Sequence, residues 1–335
     1  MLFLRFLLGG IMKESLYLNT EGVVYRKENT LMFINRNEKK KLPIENISDI
    51  FCSASVTIKS GALKMLFRKN IPVHYFNRFG FYLGSFYPRE CLVSGDLLVK
   101  QVNHYIENEK RIYLVREFIQ GIKSNILRVF DDYSHSQKIK YLKELVQNVN
   151  IDYSDISSLR SQEGKLWNYL YEMIGKANRR FLFSRREKRP PTNEINALLS
   201  FGNTILYGTV LTEIYNTQLN PTISYLHEPS ERRFSLALDI ADIFKPLLVV
   251  RTIMKIVNKR MIDERDFDKR FNGCYLLDRG KRVFLKEYDC KLKATIHHKS
   301  LNKKVSYRWL IRLELYKLIR HLLGDKKYRS FKMWW

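Results

Sequence analysis

The chain has 335 residues, 45% hydrophobic and 28% charged, which is the make-up of a folded globular protein and excludes disorder over any long stretch. Lysine and arginine number 59 against 34 acidic residues, and the resulting net charge of +25 points to a polyanionic partner, nucleic acid first. Four scattered cysteines, Cys52, Cys91, Cys274 and Cys290, have no C-x-x-C pairing, which excludes a zinc finger and suits buried thiols in a reducing cytoplasm.

At roughly 150 residues per domain the length predicts two domains. The opening MLFLRFLLGG is apolar but too short to span a bilayer and lacks a small-residue cleavage site, so residues 1–11 read as an unplaced extension. Residues 12–90 form the predicted β-rich N-terminal domain. Short runs SLYLN, GVVYRK, TLMFINR, IPVHYF and GFYLGSFYP are separated by Gly and Asn turn signals. One helix interrupts them over 59–70, where Ala62, Leu63, Leu66 and Phe67 fall at helical spacing.

The hydrophobic period changes between residues 89 and 95, and 96–335 read as a helical domain with helices near 96–132, 137–148, 155–178, 193–217, 232–259, 282–294 and 304–323. Gly324 and Asp325 mark the end of the last. Between 176 and 191 lies the densest basic cluster, Arg179, Arg180, Arg185, Arg186, Lys188 and Arg189, ahead of a Pro-Pro pair. Such a cluster is either solvated surface or a phosphate grip. The interleaved Phe181 and Phe183 favour nucleic acid. No basic amphipathic face stands apart from the fold, so no membrane partner is expected.

The chemistry is concentrated in YLHEPSERRFSLALDIADIFKP, residues 225–246. Asp239 and Asp242 sit at i and i+3 in an apolar helix, on one face. Buried carboxylates so close together require a cation. A divalent metal supplies one, and Lys245, three residues after Asp242, supplies another as a structural ion pair. His227 stands at the helix entrance. Imidazole with carboxylate oxygens and no cysteine suits Mg2+ or Mn2+, and such a site suits phosphodiester chemistry. Glu163, in SQEGKLWNYLYE, is by itself indistinguishable from a surface residue, although the adjacent Gly164 hints at close packing or ligand approach.

The E-G pair at 163–164, RPPTNEINALLSFGNTILYG at 189–208 and the block from His227 through Asp239 and Asp242 to FKP resemble the CRISPR-associated spacer-acquisition integrases, the Cas1 family, over residues 17–331. The resemblance implies an α+β chain with a β-sandwich-like, dimerising N-terminal domain and a helical catalytic domain. It implies a homodimer that works with a small Cas2 partner on double-stranded DNA. The activity it implies is metal-dependent endonuclease and integrase chemistry, joining 3′-hydroxyl ends of short duplexes to a CRISPR repeat in antiviral defence. Glu163, His227 and Asp242 are then the metal ligands, Asp239 supports them, and Lys245 joins the basic cluster in gripping DNA. The chain departs from the family pattern at Ser224, Lys245 and Asn193, where glycine, arginine and aspartate are common. The rival readings are a non-catalytic basic DNA scaffold and a structured-RNA processing enzyme.

Overall fold

In the computed structural model, the described residues are 13–90, 92–134, 136–178, 180–230, 234–269, 272–298 and 300–334. The expectations for residues 1–11, Cys91 and Arg179 lie outside them. The chain divides into two compact units, Met1–Cys91 and Leu92–Trp335.

The first unit holds β1 (Glu14–Leu18), β2 (Gly22–Lys27), β3 (Thr30–Ile34), β4 (Lys39–Leu42), β5 (Ile47–Cys52), β6 (Val56–Ile58), α1 (Ser60–Arg68), β7 (Val73–Phe76) and β8 (Tyr82–Phe86). They form two four-stranded sheets, ordered β1-β5-β7-β8 and β4-β3-β2-β6. Both sheets and α1 contribute to one core around Val24, Leu31, Ile50, Ala62, Leu66 and Val73. Three strands escape the alternation rule. β5 is buried along nearly its whole length, so its residues do not alternate, and β4 is a lysine edge strand. β6 has only three residues.

The second unit is helical, with α2 (Gly95–Ile106), α3 (Asn108–Asp131), α4 (Gln137–Gln147), α5 (Ile156–Ala177), α6 (Glu194–Tyr215), α7 (Ser235–Lys245), α8 (Arg251–Asn258), α9 (Asp278–Lys293) and α10 (Tyr307–Leu322). The expected single helix over 96–132 is two. Glu107 is extended (φ −75°, ψ 105°), a break that no proline or glycine announces. It frees α2 to place buried Gln101 against the carbonyls of Asn220 and Ile223. The helix expected over 232–259 is interrupted as well. Residues 246–250 form a π turn between α7 and α8, because Pro246 has no N–H to give the carbonyl of Asp242.

Two short antiparallel pairs were not expected among the helices: β9 (Phe267–Asp268) with β10 (Tyr275–Leu276), and β11 (Thr295–His298) with β12 (Lys303–Ser306). The last helix therefore begins at Tyr307, capped by Ser306, and Gly324 follows it with φ +84°. Cys52 and Cys274 are buried, whereas Cys290 is exposed, contrary to the buried-thiol expectation.

α6 is apolar on all sides and forms the centre of this unit, with Asn193 capping it by accepting from the N–H of Asn196. A Cβ on Gly202 would lie 2.6 Å from Phe284 and 2.7 Å from Val249, so glycine is what lets α9 and the π turn close on α6. α7 packs against both α3 and α6, which buries Asp239 completely and Asp242 nearly so. Among the described residues no helix is long and apolar enough to cross a membrane.

Candidate active site

The loop between α6 and α7 is organised by the carboxylate of Asp239. Its Oδ2 accepts the backbone N–H groups of Tyr225 (2.7 Å) and Leu226 (3.0 Å), and its Oδ1 accepts that of His227 (3.0 Å). Oδ1 also lies 2.7 Å from His227 Nδ1. A carboxylate can only accept, so Nδ1 carries the proton, and the other ring nitrogen is presented on the far side. There Nε2 stands 3.8 Å from Asp242 Oδ2. Burial works against charge on His227, but the Asp239 bond and the charges of Asp239, Asp242 and Glu163 outweigh it and raise its pKa.

Glu163 arrives from α5. Burial first, and then repulsion from Asp242, raise its pKa to about 6, against the pull of Lys245, Trp167 and His227. Trp167, one turn on, donates its indole N–H to Glu163 Oε1. Lys245 ion-pairs with Asp242 Oδ1 and lies 4.3 Å from the centroid of the Trp167 ring. Burial disfavours its charge, but Asp242 prevails and its pKa is raised. The ammonium thus neutralises the carboxylates, as the ion-pair alternative requires.

Two carboxylates and an imidazole whose second nitrogen is locked by a carboxylate have the donor chemistry of a Mg2+ or Mn2+ site. His227 and Asp242 face one another, while Glu163 is turned toward Trp167. Among the described residues no group of three or more His, Cys, Asp and Glu side chains stands ready to hold a metal. The donor types suit an ion, but to hold one Glu163 would have to leave the indole and Lys245 would have to leave Asp242. A Cβ on Gly164 would meet nothing within 4 Å, so the close backbone packing that this glycine hinted at is absent.

The segment 180–190 is irregular, as expected of a loop, but its cations differ in their tasks. Arg186 turns inward, donating to Asn196 Oδ1 (2.9 Å), Ser200 Oγ (2.8 Å) and the carbonyl of Glu187. Arg180 donates to the carbonyl of Ile262 at 2.6 Å, and Arg185 pairs with Glu187 at 2.8 Å. Arg185, Lys188 and Arg189 are exposed. Lys188 stands close enough to feel Lys245, Arg186, Asp242 and Glu163. Phe181 is buried edge-on to Phe267, so it offers no free stacking face.

Sequence reasoning missed Trp167, Tyr171 and Glu228. The first two recur at four-residue steps from Glu163 on α5, a spacing that signals one helix face. Tyr171 stacks on Trp167, with the ring centroids 6.2 Å apart. Glu228 is partly opposed by burial, yet hydrogen bonds from Tyr105, Arg111 and Arg160 hold its pKa down at about 2.

The family model for CRISPR associated protein Cas1 matches residues 16–290. A protein of Methanobrevibacter ruminantium named CRISPR-associated protein Cas1 1 is 47% identical over 325 residues, covering 96% of this chain and 99% of its own. The CRISPR-associated endonuclease Cas1 of Fusobacterium nucleatum is 44% identical, covering 98% of this chain and all of its own. Among solved structures, a Cas1 protein from Thermotoga maritima superposes with TM-score 0.83 at 40% identity, covering 95% of this chain and 99% of that one.

Proposed function

Because this chain belongs to the CRISPR-associated Cas1 family, we propose that it is a metal-dependent DNA endonuclease and integrase that inserts short duplexes into a CRISPR repeat. The observation that carries the reading is the grouping of His227 and Asp242 in a largely buried niche beside Glu163. In the reaction, the 3′-hydroxyl oxygen of the incoming strand forms a bond to a repeat phosphorus as the existing P–O bond to its 3′ oxygen breaks. The number of phosphodiesters is conserved, so no external energy source is needed.

Glu163, His227 and Asp242 would hold Mg2+ or Mn2+, which when bound supplies Lewis-acid polarisation of the phosphodiester. Asp239 keeps the Nδ1 proton of His227 in place and aims Nε2 into the niche. Lys245, which an ion on Asp242 would displace, would then be a cation beside the bound phosphodiester. Exposed Arg185, Lys188 and Arg189 hold the DNA backbone. On the family pattern the working unit is a cytoplasmic homodimer with a small Cas2 partner.

The test is joining of a labelled 3′-hydroxyl duplex to a repeat-bearing plasmid. Wild type should join with Mg2+ or Mn2+ and not in chelator, and Glu163→Ala, His227→Ala and Asp242→Ala should be inactive while still binding duplex. Equal joining in chelator, or wild-type joining by His227→Ala, would leave a basic DNA scaffold as the better reading.

A further inference from the structure

The loop that carries His227 is gripped from two sides, and Asp239 accounts for only one. Asp239 takes the N–H groups of Tyr225, Leu226 and His227. The carbonyls on the other side are taken by residues outside the site. Arg111 on α3 donates Nε–H to the carbonyl of Tyr225 at 2.9 Å. Arg160 on α5 donates Nε–H to that of Leu226 at 2.7 Å, and Ser224 Oγ donates to that of His227 at 2.6 Å. Both arginines then send Nη2 to one oxygen of Glu228, at 2.8 Å from Arg111 and 2.5 Å from Arg160. The hydroxyl of Tyr105 on α2 donates to the other oxygen at 2.7 Å.

Glu228 is half exposed and Arg160 about a third, and ion pairs so exposed add little net stability. A cluster that draws side chains from three helices onto one loop carboxylate needs another purpose, and its geometry supplies one. Arg160 is three residues before Glu163 on the same helix, so it stands on the same face one turn earlier. Its planar fork spans two acceptors, one on each side of His227 in sequence.

We infer that Arg160, acting through Leu226 and Glu228, is a positioning residue that sets the distance between the Glu163 helix and the His227 loop. It fixes how the imidazole and the glutamate approach one point, and it touches neither the DNA nor the reacting atoms. Because misplacement by about 1 Å can cost on the order of 100-fold in rate, a clamp that adds little stability can still govern activity. The inference rests on the proposed metal-dependent function and adds residues to it.

The experiment uses the full chain and two readouts, Mn2+ binding followed by electron paramagnetic resonance of the free ion, and strand joining. Arg160→Gln and Glu228→Gln should each weaken Mn2+ binding by about 10- to 100-fold, the range for loss of residues that orient metal ligands. Thermal unfolding and duplex affinity should stay near wild type. Arg160→Lys should not rescue, because one ammonium lacks the fixed fork. The Arg160→Gln/Glu228→Gln double variant should lose no more than the worse single, since both changes break one linkage.

Wild-type Mn2+ affinity and joining in Arg160→Gln would overturn the inference, as would fully additive losses or a loss matched by unfolding. If wild type itself shows no Mn2+ binding that His227→Ala abolishes, the proposed function falls and this inference falls with it. If wild type binds and joins while the clamp variants match it, only the clamp falls.

Discussion

His227 Nδ1 and Asp239 Oδ1 lie 2.7 Å apart, and the same carboxylate holds three consecutive backbone N–H groups of the loop. Asp239→Asn keeps the shape but places an N–H2 where acceptors are needed. Unsatisfied buried donors cost about 1–3 kcal/mol each, so urea denaturation should show a loss of that order or more. Mn2+ affinity should fall by about 10- to 100-fold through the misdirected imidazole. Unchanged Mn2+ affinity would show that Asp239 serves the loop alone.

Lys245 and Asp242 form a nearly buried pair, with side chains 15% and 7% exposed. Lys245→Met strands Asp242 beside Glu163, and breaking such a pair costs about 3–5 kcal/mol. In chelator the variant should therefore melt well below wild type. Saturating Mn2+ should recover much of the difference, because the ion binds the folded chain and supplies the missing charge. Equal destabilisation with and without Mn2+ would mean that the ion does not occupy the place of the ammonium.

How far the site was legible depended on whether a residue clashed with its own helix. Asp239 and Asp242 were legible as carboxylates in an apolar stretch, and Lys245 as their neighbour. Glu163 was not, since α5 is amphipathic and a glutamate on it breaks no pattern; the family resemblance alone singled it out. Trp167 and Glu228 draw their importance from partners brought together only in three dimensions. The same holds for the fold: β1, β2, β3, β7 and β8 stood out, whereas β5 is enclosed on both faces and loses its alternation, and the bend at Glu107 has no breaker residue.

Arg185 and Arg186 are adjacent but should separate cleanly by experiment. The Arg185 side chain is 81% exposed, so Arg185→Ala should leave stability unchanged and reduce the slope of log affinity for duplex DNA against log salt by about 1. Arg186 joins Asn196, Ser200 and the Glu187 carbonyl, so Arg186→Ala should destabilise the chain by about 1–3 kcal/mol through acceptors left unpaired. Reversed effects would reassign both.

His321 on α10 packs at 5.2 Å from the His104 ring, and its Nε2 is buried without a hydrogen-bond partner among the described residues. Burial, with His104, Lys327 and Lys110 nearby, lowers its pKa to about 4. The unfolded chain therefore binds the proton more readily. The contribution to stability is complete above the ordinary histidine value of 6.5 and is lost as the pH falls toward 4. Urea midpoints measured from pH 7.5 to 4.5 should fall, and His321→Gln should flatten that part of the profile. A profile unchanged by the substitution would place the acid sensitivity elsewhere.

The last residues form a strap that reaches the helix bearing Asp242. Tyr328, Phe331 and Met333 are buried although 324–334 has no regular structure. Asn125, fully buried on α3, ties the strap to α7 by donating to the carbonyls of Phe331 (3.2 Å) and Ile243 (2.9 Å) and accepting from the N–H of Met333 (2.9 Å). Phe331 stacks on Phe244 at 5.2 Å. The strap can lie this close only because residue 121 has no side chain: a Cβ on Gly121 would sit 2.0 Å from Ser330 Oγ and 2.8 Å from Ser330 Cβ. Gly121→Ala should therefore lift the strap at an overpacking cost of about 1–3 kcal/mol. The lifted strap should expose the tail to proteolysis and, by loosening α7 around Asp242, reduce strand joining. Ser330→Gly removes the two nearest atoms and leaves only the Phe331 carbonyl oxygen close, at 3.1 Å, so the Gly121→Ala/Ser330→Gly pair should regain much of the protection and joining. If the second change restores neither, the loss comes from α3 itself and the strap does not brace the helix that carries Asp242.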